Sequence, residues 1–309
     1  VQALRLVARF DCKVSVELHT DLADDVERTL AYARRYAAVS PDYFIIKVPL
    51  TPAGLIATRR LAEEGIPVNF TLGFGARQNF LAAMLARPVY CNVFLGRLNS
   101  FVADNNLGPG TNVGERATLA SQRTVREANE AVEGSTKQIA ASMRNGPQAV
   151  ALAGVDVFTM PPKVAHEYLE LEEARAGVSD RTEAELPVEY ASGVDEQAVT
   201  LDTLYEVPEP FKSAALELRD AEPTALTPES LCAHFADRGL PGVLVQWRDA
   251  DRRAAAEDGK IPKLDRWRER FAQRKLGLDA VMNLSGLMSF VTDQAAMDDH
   301  IAEILGVSS

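Results

Sequence analysis

Two patterns of hydrophobic and polar positions alternate along the first 172 residues of the chain. Short runs rich in β-branched residues are typical of strands, and longer stretches with apolar residues at helical spacing separate them. The pattern therefore predicts strands and helices in regular alternation. The predicted strands are residues 13–18, 43–48, 66–72, 89–95, 136–142 and 155–159.

The stretches between these runs predict helices, and one of them has clear signals at both ends. Thr51 is suited to the N-cap, Pro52 to the first helical position, and Gly65 follows the last turn. Strand–helix alternation predicts a parallel sheet with helices outside it. Six such units favour a (β/α)8 barrel of the TIM type, with an open sheet as the alternative. The predicted helices are 21–39, 52–64, 77–85, 113–132 and 147–152.

The alternation stops at about residue 172, so we divide the chain into three parts. Residues 1–172 are predicted to form the β/α-barrel core, and residues 173–281 an insertion that is loop-rich and then helical. Residues 282–309 are predicted to form a C-terminal helix packing on the barrel. Within these parts, residues 173–215 are acidic and loop-like, residues 3–10 could form a helix, and further helices are expected at 228–237, 264–274 and 282–304.

Lys47 is the residue most suggestive of chemistry, because it lies inside the apolar run FIIKVP. A charged amine is costly to bury, so burial favours the neutral form, which attacks carbonyl groups. The alternative is a lysine at a strand end whose amine reaches solvent. On this segment alone the alternative is the better interpretation.

Polar residues on the neighbouring predicted strands change that interpretation. Side chains alternate faces along a strand, so residues of one parity share the barrel interior. With Lys47 pointing inward, an inward set of polar residues follows near the carboxyl ends of the strands, where barrel active sites form. A satisfied polar core is the alternative. The inward set is Glu17, His19, Asn69, Thr71, Asn92, Ser142 and Arg144.

Arg97, Ser142 and Arg144 could together bind a phosphate group. Arg97 follows a predicted strand, and Arg144 precedes the Asn-Gly pair that opens a predicted helix. A serine, two arginines and a helix N-terminus are typical components of phosphate sites. The alternative is that each arginine forms a surface salt bridge.

Composition narrows the class of protein. The net charge of −11 and pI of about 5.0 argue against non-specific binding to nucleic acid or to anionic membranes. No run approaches the length of a membrane span, and no signal peptide is visible. The three cysteines have neither metal-type spacing nor an even number, so we expect a reducing, cytoplasmic location. The histidines lack ligand-like spacing, and we expect neither a metal nor a cofactor.

Several motifs, in order along the chain, resemble the transaldolase family of Schiff-base aldolases. KVPLTPAGL resembles the segment in which the Schiff-base lysine is followed by Pro, Thr and Gly-Leu. The resemblance covers about residues 11–170 and 282–304, and its specificity comes from the ordered set. The other similar segments are KVSVELHTDLADD, GIPVNFTLGFGARQ, CNVFLGRLNSF, IAASMRNGPQAVALAGVDVFTMPP and FVTDQAAMDDHI.

This resemblance implies a role for each matching residue. Lys47 would form an imine with a ketose phosphate, and Glu17 with Thr71 would hold a catalytic water. Asn69 would orient substrate hydroxyls. The resemblance also implies that a phosphate group lies against Arg97, Ser142 and Arg144, with Asn92 beside them.

The implied reaction is transfer of a dihydroxyacetone unit between sugar phosphates in the pentose phosphate pathway. Fructose 6-phosphate, sedoheptulose 7-phosphate, erythrose 4-phosphate and glyceraldehyde 3-phosphate are the implied substrates. A Schiff-base aldolase or lyase without efficient transfer and a catalytically silent homologue or fragment are the alternatives. The sequence does not fix the oligomeric state, and a homodimer stays open.

Two departures from the family pattern affect these expectations. Asn92 stands where the family usually has a serine beside the phosphate. In the family the lysine strand is the fourth, whereas one predicted strand precedes Lys47 here, so the sequence pattern lacks the family's first two strands and the Asp and Asn that they carry. The chain could be a fragment, could fill the gap with residues 243–247, or could pair with another chain.

Overall fold

A curled sheet of six parallel strands organises the computed structural model, which describes residues 1–240 and 242–306. The strands follow one another in space in chain order, and all six predicted strands are confirmed. The two edge strands do not pair with each other among the described residues, so these strands form a half-barrel and not a closed ring of eight. The strands are β1 (Val14–Glu17), β2 (Phe44–Pro49), β3 (Val68–Thr71), β4 (Tyr90–Phe94), β5 (Lys137–Ala141) and β6 (Val157–Phe158).

Helices connect the strands, as the sequence pattern predicts. Helix α3 shows why: the Thr51 hydroxyl accepts a hydrogen bond from the Gly54 amide at 2.9 Å, and Pro52 begins the first turn. A π-helical turn extends α4 to residue 86. The helices up to the last strand are α1 (Gln2–Phe10), α2 (Val26–Ala37), α3 (Pro52–Glu63), α4 (Ala76–Leu81), α5 (Leu95–Asp104), α6 (Val113–Val132) and α7 (Pro147–Ala151).

Four of the remaining helices were not predicted from the sequence: α8 (Pro162–Glu170), α9 (Glu172–Ala176), α10 (Glu209–Arg219) and α12 (Asp249–Asp258). Helix α10 starts inside the segment predicted to be loop-like, which makes that prediction wrong there. Its apolar residues Phe211, Ala214, Ala215 and Leu218 have helical spacing and are buried. The helices after the last strand are α8 (Pro162–Glu170), α9 (Glu172–Ala176), α10 (Glu209–Arg219), α11 (Pro228–Ala236), α12 (Asp249–Asp258), α13 (Leu264–Ala272) and α14 (Leu278–Leu305).

Two other predictions about the later part of the chain need correction. Residues 243–247 form no strand and so do not fill the gap in the barrel; Val243 and Leu244 are instead buried in the core outside the sheet. Helix α14 starts at Leu278, four residues before the predicted position, because buried residues already precede residue 282. Pro241 and residues 307–309, which the predicted segments include, lie outside the described residues.

The two faces of the sheet have different chemical character. Ile46, Val48 and Phe70 on the outer face pack into one apolar cluster with the surrounding helices. Lys47 and Asn69 alternate with them and face the inner side. Core packing therefore fixes which side of each strand is available to a site. No helix in the described parts of the chain combines the length and apolarity that crossing a bilayer requires.

Candidate active site

Lys47 lies on the inner face of β2, where its amine contacts a carboxylate from the neighbouring strand β1. The strand register sets Glu17 beside Lys47, and the Lys47 Nζ lies 3.2 Å from the Glu17 Oε2. The Lys47 side chain is 22% exposed and that of Glu17 is 48% exposed. The register confirms that Glu17 and Lys47 share the interior, as strand parity predicts, and the groove opens to solvent on the β1 side.

Asn69 and Thr71 lie on the other side of Lys47, along β3. Asn69 is in register with Lys47 and donates a hydrogen bond to the Ser15 hydroxyl at 3.0 Å. Its Oδ1 and the Thr71 Oγ1 are buried without any hydrogen-bond partner. Buried polar atoms in folded proteins are normally paired. These two atoms are therefore available to a water or to a substrate in the groove.

Arg97 is a buried guanidinium with spare hydrogen-bonding capacity. It lies in the first turn of α5, directly after β4, and its Nη1 lacks a hydrogen-bond partner. Burial lowers the pKa of Arg97, the charge of Arg144 lowers it further, and Asp293 opposes the shift. Desolvation beside a second cation is unfavourable for a guanidinium unless an anion is bound. Arg97 thus has the properties of an anion-binding residue.

Gly96 allows the loop after β5 to lie against α5, which brings Arg144 to the same side. A Cβ at Gly96 would be 2.7 Å from the Arg144 Nε and 2.2 Å from the Ser142 carbonyl oxygen. Ser142 itself has a positive φ of 63°, a conformation that non-glycine residues seldom adopt. Such backbone strain is concentrated at functional sites. The Ser142 backbone and the Arg144 side chain therefore lie against the start of α5, next to Arg97, at the carboxyl ends of β4 and β5.

The predicted contribution of a helix N-terminus to this anion site is wrong. Helix α7 has only five residues, and the amides before it already have acceptors. The amides of Arg144 and Asn145 donate to the Gln148 Oε1 at 2.6 and 3.3 Å. The Gly146 amide donates to the Glu167 Oε2 at 3.0 Å. The side chains of Arg97, Ser142 and Arg144 remain as the candidate ligands.

Asn92 also faces the inner side, but the nitrogen and the oxygen of its side-chain amide both form hydrogen bonds with backbone groups. Its Nδ2 donates to the Phe70 carbonyl at 3.2 Å, and its Oδ1 accepts from the Gly73 amide at 3.3 Å. These bonds tie β4 to β3 and to the turn that follows it. Substrate binding by Asn92 stays a prediction, and the contacts present are structural.

Helix α14 crosses the open end of the strands and contributes contacts that the sequence analysis missed. Asn283 donates to the Leu72 carbonyl at 2.9 Å. The Phe290 ring lies 5.6 Å from the Lys47 Nζ and 5.7 Å from the Arg97 Cζ. The only signal in the sequence was that Phe290 begins the FVTDQ motif, which shows no contact by itself.

His19 ties the far end of α14 to the segment after β1. Its Nε2 lies 2.9 Å from the Asp298 Oδ2, and its Nδ1 accepts a hydrogen bond from the Asp21 amide at 3.2 Å. The hydrogen bond to His19 is the main cause of a lowered pKa for Asp298. His19 therefore links two segments, and both of its ring nitrogens have protein partners.

The structure thus brings most of the predicted site residues into one groove. Lys47, Glu17, Asn69 and Thr71 lie at its β1–β3 end, and the two arginines lie at its β4–β5 end. Within the described residues, no three His, Cys, Asp or Glu side chains are grouped so as to hold a metal ion. An amine, a carboxylate and an anion site in one groove suit covalent chemistry on a phosphorylated carbonyl compound.

Comparison with known proteins identifies what the chain is similar to. The family model described as transaldolase/fructose-6-phosphate aldolase matches residues 1–222. A probable transaldolase of Phenylobacterium zucineum is 39% identical over 142 residues, which are 45% of this chain and 58% of that protein. A transaldolase of Xanthomonas euvesicatoria is 35% identical over 156 residues, 48% of either chain. A transaldolase of Xanthomonas oryzae is 34% identical over 165 residues, 52% of this chain and 51% of that protein. The chain spans about half the length of these curated relatives.

Proposed function

The chain belongs to the transaldolase/fructose-6-phosphate aldolase family, and from this premise we propose that it transfers a dihydroxyacetone unit between sugar phosphates through a Schiff base on Lys47. The proposed donors are fructose 6-phosphate and sedoheptulose 7-phosphate. The proposed acceptors are erythrose 4-phosphate and glyceraldehyde 3-phosphate, which places the reaction in the pentose phosphate pathway.

The proposed chemistry assigns each step to residues in the groove. The Lys47 amine adds to the C2 carbonyl of the ketose, and loss of water leaves a protonated imine. The C3–C4 bond then breaks, its electron pair passes to the imine, the C4 hydroxyl loses its proton, and an aldehyde leaves an enamine on Lys47. The enamine attacks an acceptor aldehyde, and water releases the new ketose. Glu17, 3.2 Å from the amine, would move protons through a water that Thr71 helps to hold.

The strongest support for Schiff-base chemistry on a phosphorylated ketose is the combination of groups in the groove. The same groove holds a lysine amine beside a carboxylate and, at the other end, a buried guanidinium with a free Nη1 next to Arg144. A surface salt bridge or a satisfied polar core would leave no such unpaired group. The pairing of amine and anion site therefore supports a phosphorylated carbonyl substrate.

The half-barrel supports a finer proposal about the fold. We propose that the six strands correspond to the third to eighth strands of a (β/α)8 barrel, with Lys47 on the fourth. Their order and the position of the site at their carboxyl ends support this correspondence. A cytoplasmic location, supported by three free cysteines, also stays a proposal.

Borohydride trapping tests the central step. The protein is incubated with fructose 6-phosphate and sodium borohydride, and peptide mass spectrometry locates the reduced adduct. The adduct is expected on Lys47 and is expected to disappear in Lys47→Ala. Lys137→Ala is the matched control, because Lys137 lies at the exposed start of β5 in the same sheet. An adduct that survives Lys47→Ala, or no adduct at all, would refute the proposal.

The exposure of Glu17 favours a second candidate function, Schiff-base cleavage without efficient transfer. Almost half of the Glu17 side chain is exposed, so bulk water reaches the place where the enamine would form. Water can then protonate the enamine before an acceptor arrives. Release of glyceraldehyde 3-phosphate from fructose 6-phosphate without acceptor, at a rate matching transfer, would favour this candidate.

A further inference from the structure

Helix α14 lies close against the anion site at Gly286. A Cβ at this position would lie 3.3 Å from the Arg97 Nη1 and 2.9 Å from the Leu72 side chain. No larger residue fits there without displacing Arg97 or Leu72. Because of this close approach, the next turn of α14 brings Phe290 over the groove.

The Phe290 ring contacts both cations that the proposed reaction needs. It lies 5.6 Å from the Lys47 Nζ and 5.7 Å from the Arg97 Cζ, both within the range of cation–π attraction. The Phe94 ring lies 5.4 Å from the same Arg97 Cζ, so two rings flank Arg97. Among the cation–π contacts of the described residues, Phe290 is the ring that approaches both Lys47 and Arg97.

We propose that Phe290 is a positioning residue that selects ketoses carrying a phosphate at the end remote from the carbonyl. This inference rests on the proposed function of Lys47. The ring holds the amine and the guanidinium in fixed directions, so a substrate that reaches both gains affinity that a shorter or uncharged ketose does not gain.

The position of Phe290 separates this role from a purely structural one. Phe290 is partly exposed, and beyond it the described part of α14 runs with most side chains in solvent. Phe290 packs with its buried side against an apolar cluster, and a leucine there keeps an apolar contact, so Phe290→Leu should change stability little. An effect on phosphate preference would then come from the two cation contacts.

The experiment compares imine formation with fructose 6-phosphate and with fructose. Borohydride trapping gives the half-saturating concentration of each ketose, and thermal denaturation gives the stability. Phe290→Leu removes the ring face and keeps an apolar side chain, Phe290→Tyr restores the ring, and Met297→Ala is the control on the same helix, 52% exposed. We expect Phe290→Leu to raise the half-saturating concentration of fructose 6-phosphate about threefold to tenfold more than that of fructose. Phe290→Tyr and Met297→Ala should keep the wild-type ratio.

The remaining outcomes would contradict either the inference about Phe290 or the proposed function of Lys47. If Phe290→Leu weakens both ketoses equally, or keeps the wild-type ratio, the inference about Phe290 is wrong while the Lys47 reaction stands. The same holds if Phe290→Tyr fails to restore the ratio. If the wild-type protein forms no adduct with either ketose, the proposed function fails first.

Discussion

The outer side of the sheet holds a connected network of hydrogen-bonded polar side chains that the inner groove lacks among the described residues, and buried atoms without a partner occur on both sides, with the Thr58 Oγ1 and the Asn79 Oδ1 on the outer side. On the outer side, the Ser121 hydroxyl of α6 donates to the Gln138 Oε1 of β5 at 2.6 Å, and the Gln122 amide of α6 donates to the Oδ2 of Asp156, just before β6, at 2.9 Å. In the groove, the Asn69 Oδ1, the Thr71 Oγ1 and the Arg97 Nη1 have no partner. The first set joins an outer helix to the sheet, and the second is available to a ligand.

The network joins α6 to the sheet, whereas the unpaired groove atoms lie beside Lys47 and Arg144, so we expect the two sets to serve the fold and the site respectively. A hydrogen-bonded buried group contributes to stability. When its partner is removed, the remaining polar group stays buried without a hydrogen bond, and the folded state is destabilised. A buried polar group without a partner already destabilises the ligand-free protein, because its burial is not offset by a hydrogen bond. Substitutions in the two sets should therefore have opposite effects on activity and stability.

Arg97→Leu should give the largest effect on the groove side. The variant loses a guanidinium placed for phosphate, so kcat/KM for fructose 6-phosphate should fall by about a hundredfold or more. Its melting temperature should be equal to or above that of the wild type, because a desolvated cation with a free Nη1 is removed. Steady-state kinetics and calorimetry measure both. A large loss of stability with unchanged KM would reverse the assignment of Arg97 to the site.

Thr71→Val and Ser121→Ala form a pair that tests the comparison directly. Thr71→Val keeps the shape of the side chain and removes an unpartnered hydroxyl, so activity should fall by about tenfold or more with stability unchanged or raised. Ser121→Ala breaks two buried hydrogen bonds and should lower the free energy of unfolding by about 1–3 kcal/mol with kcat unchanged. The comparison fails if the two variants exchange these behaviours.

Most of the sheet and the list of site residues were predictable from sequence, whereas the contacts around them were not. Strand periodicity sets Lys47, Asn69 and Thr71 on one face, and the register confirms their shared side. Periodicity says nothing about residues distant in sequence, so it could not show Phe290 over Lys47. Parity also predicts that Glu17 shares the interior with Lys47, which the register confirms, whereas the 22% exposure of the Lys47 side chain could not be read from the apolar run around it.

Other errors have equally local causes. The acidic composition around α10 concealed an apolar spacing that was present, at Phe211, Ala214 and Leu218. The N-terminus of α7 was predicted to bind an anion, but side-chain oxygens of Gln148 and Glu167 already accept hydrogen bonds from the backbone amides there. Sequence indicates which groups can bind an anion, but only the structure shows which already have a partner.

The contact between His19 and Asp298 should give a smaller, pH-dependent effect. Because the pKa of Asp298 is lowered in the folded protein, the stabilisation is complete above the usual aspartate pKa and is lost as the pH falls through the lowered value. Asp298→Asn at pH 6 should therefore speed hydrogen exchange in residues 291–306 by a few-fold, and acidification should do the same to the wild type. Exchange rates corrected for intrinsic pH dependence, with β2 as the internal reference, measure this. Equal protection in both proteins would show that the contact does not hold the helix.

Cysteine alkylation should have the smallest effect on activity. It compares the reactivity of one exposed thiol with that of a buried and a partly buried one. Burial raises the pKa of the Cys232 thiol to about 11 and raises that of Cys91 further, so both stay protonated at pH 8. Cys12 is exposed and should react with iodoacetamide first, with no loss of activity because it lies outside the groove. Mass spectrometry gives the order of labelling. Labelling of Cys91 before Cys12 in the folded protein would contradict the packing of β4.

A crystal structure of the borohydride-reduced adduct with fructose 6-phosphate tests the central claim most directly. We expect continuous density from the Lys47 Nζ to C2 of the sugar, with the phosphate against Arg97, Ser142 and Arg144. A sugar attached to another lysine, or a phosphate bound away from the two guanidinium groups, would contradict it.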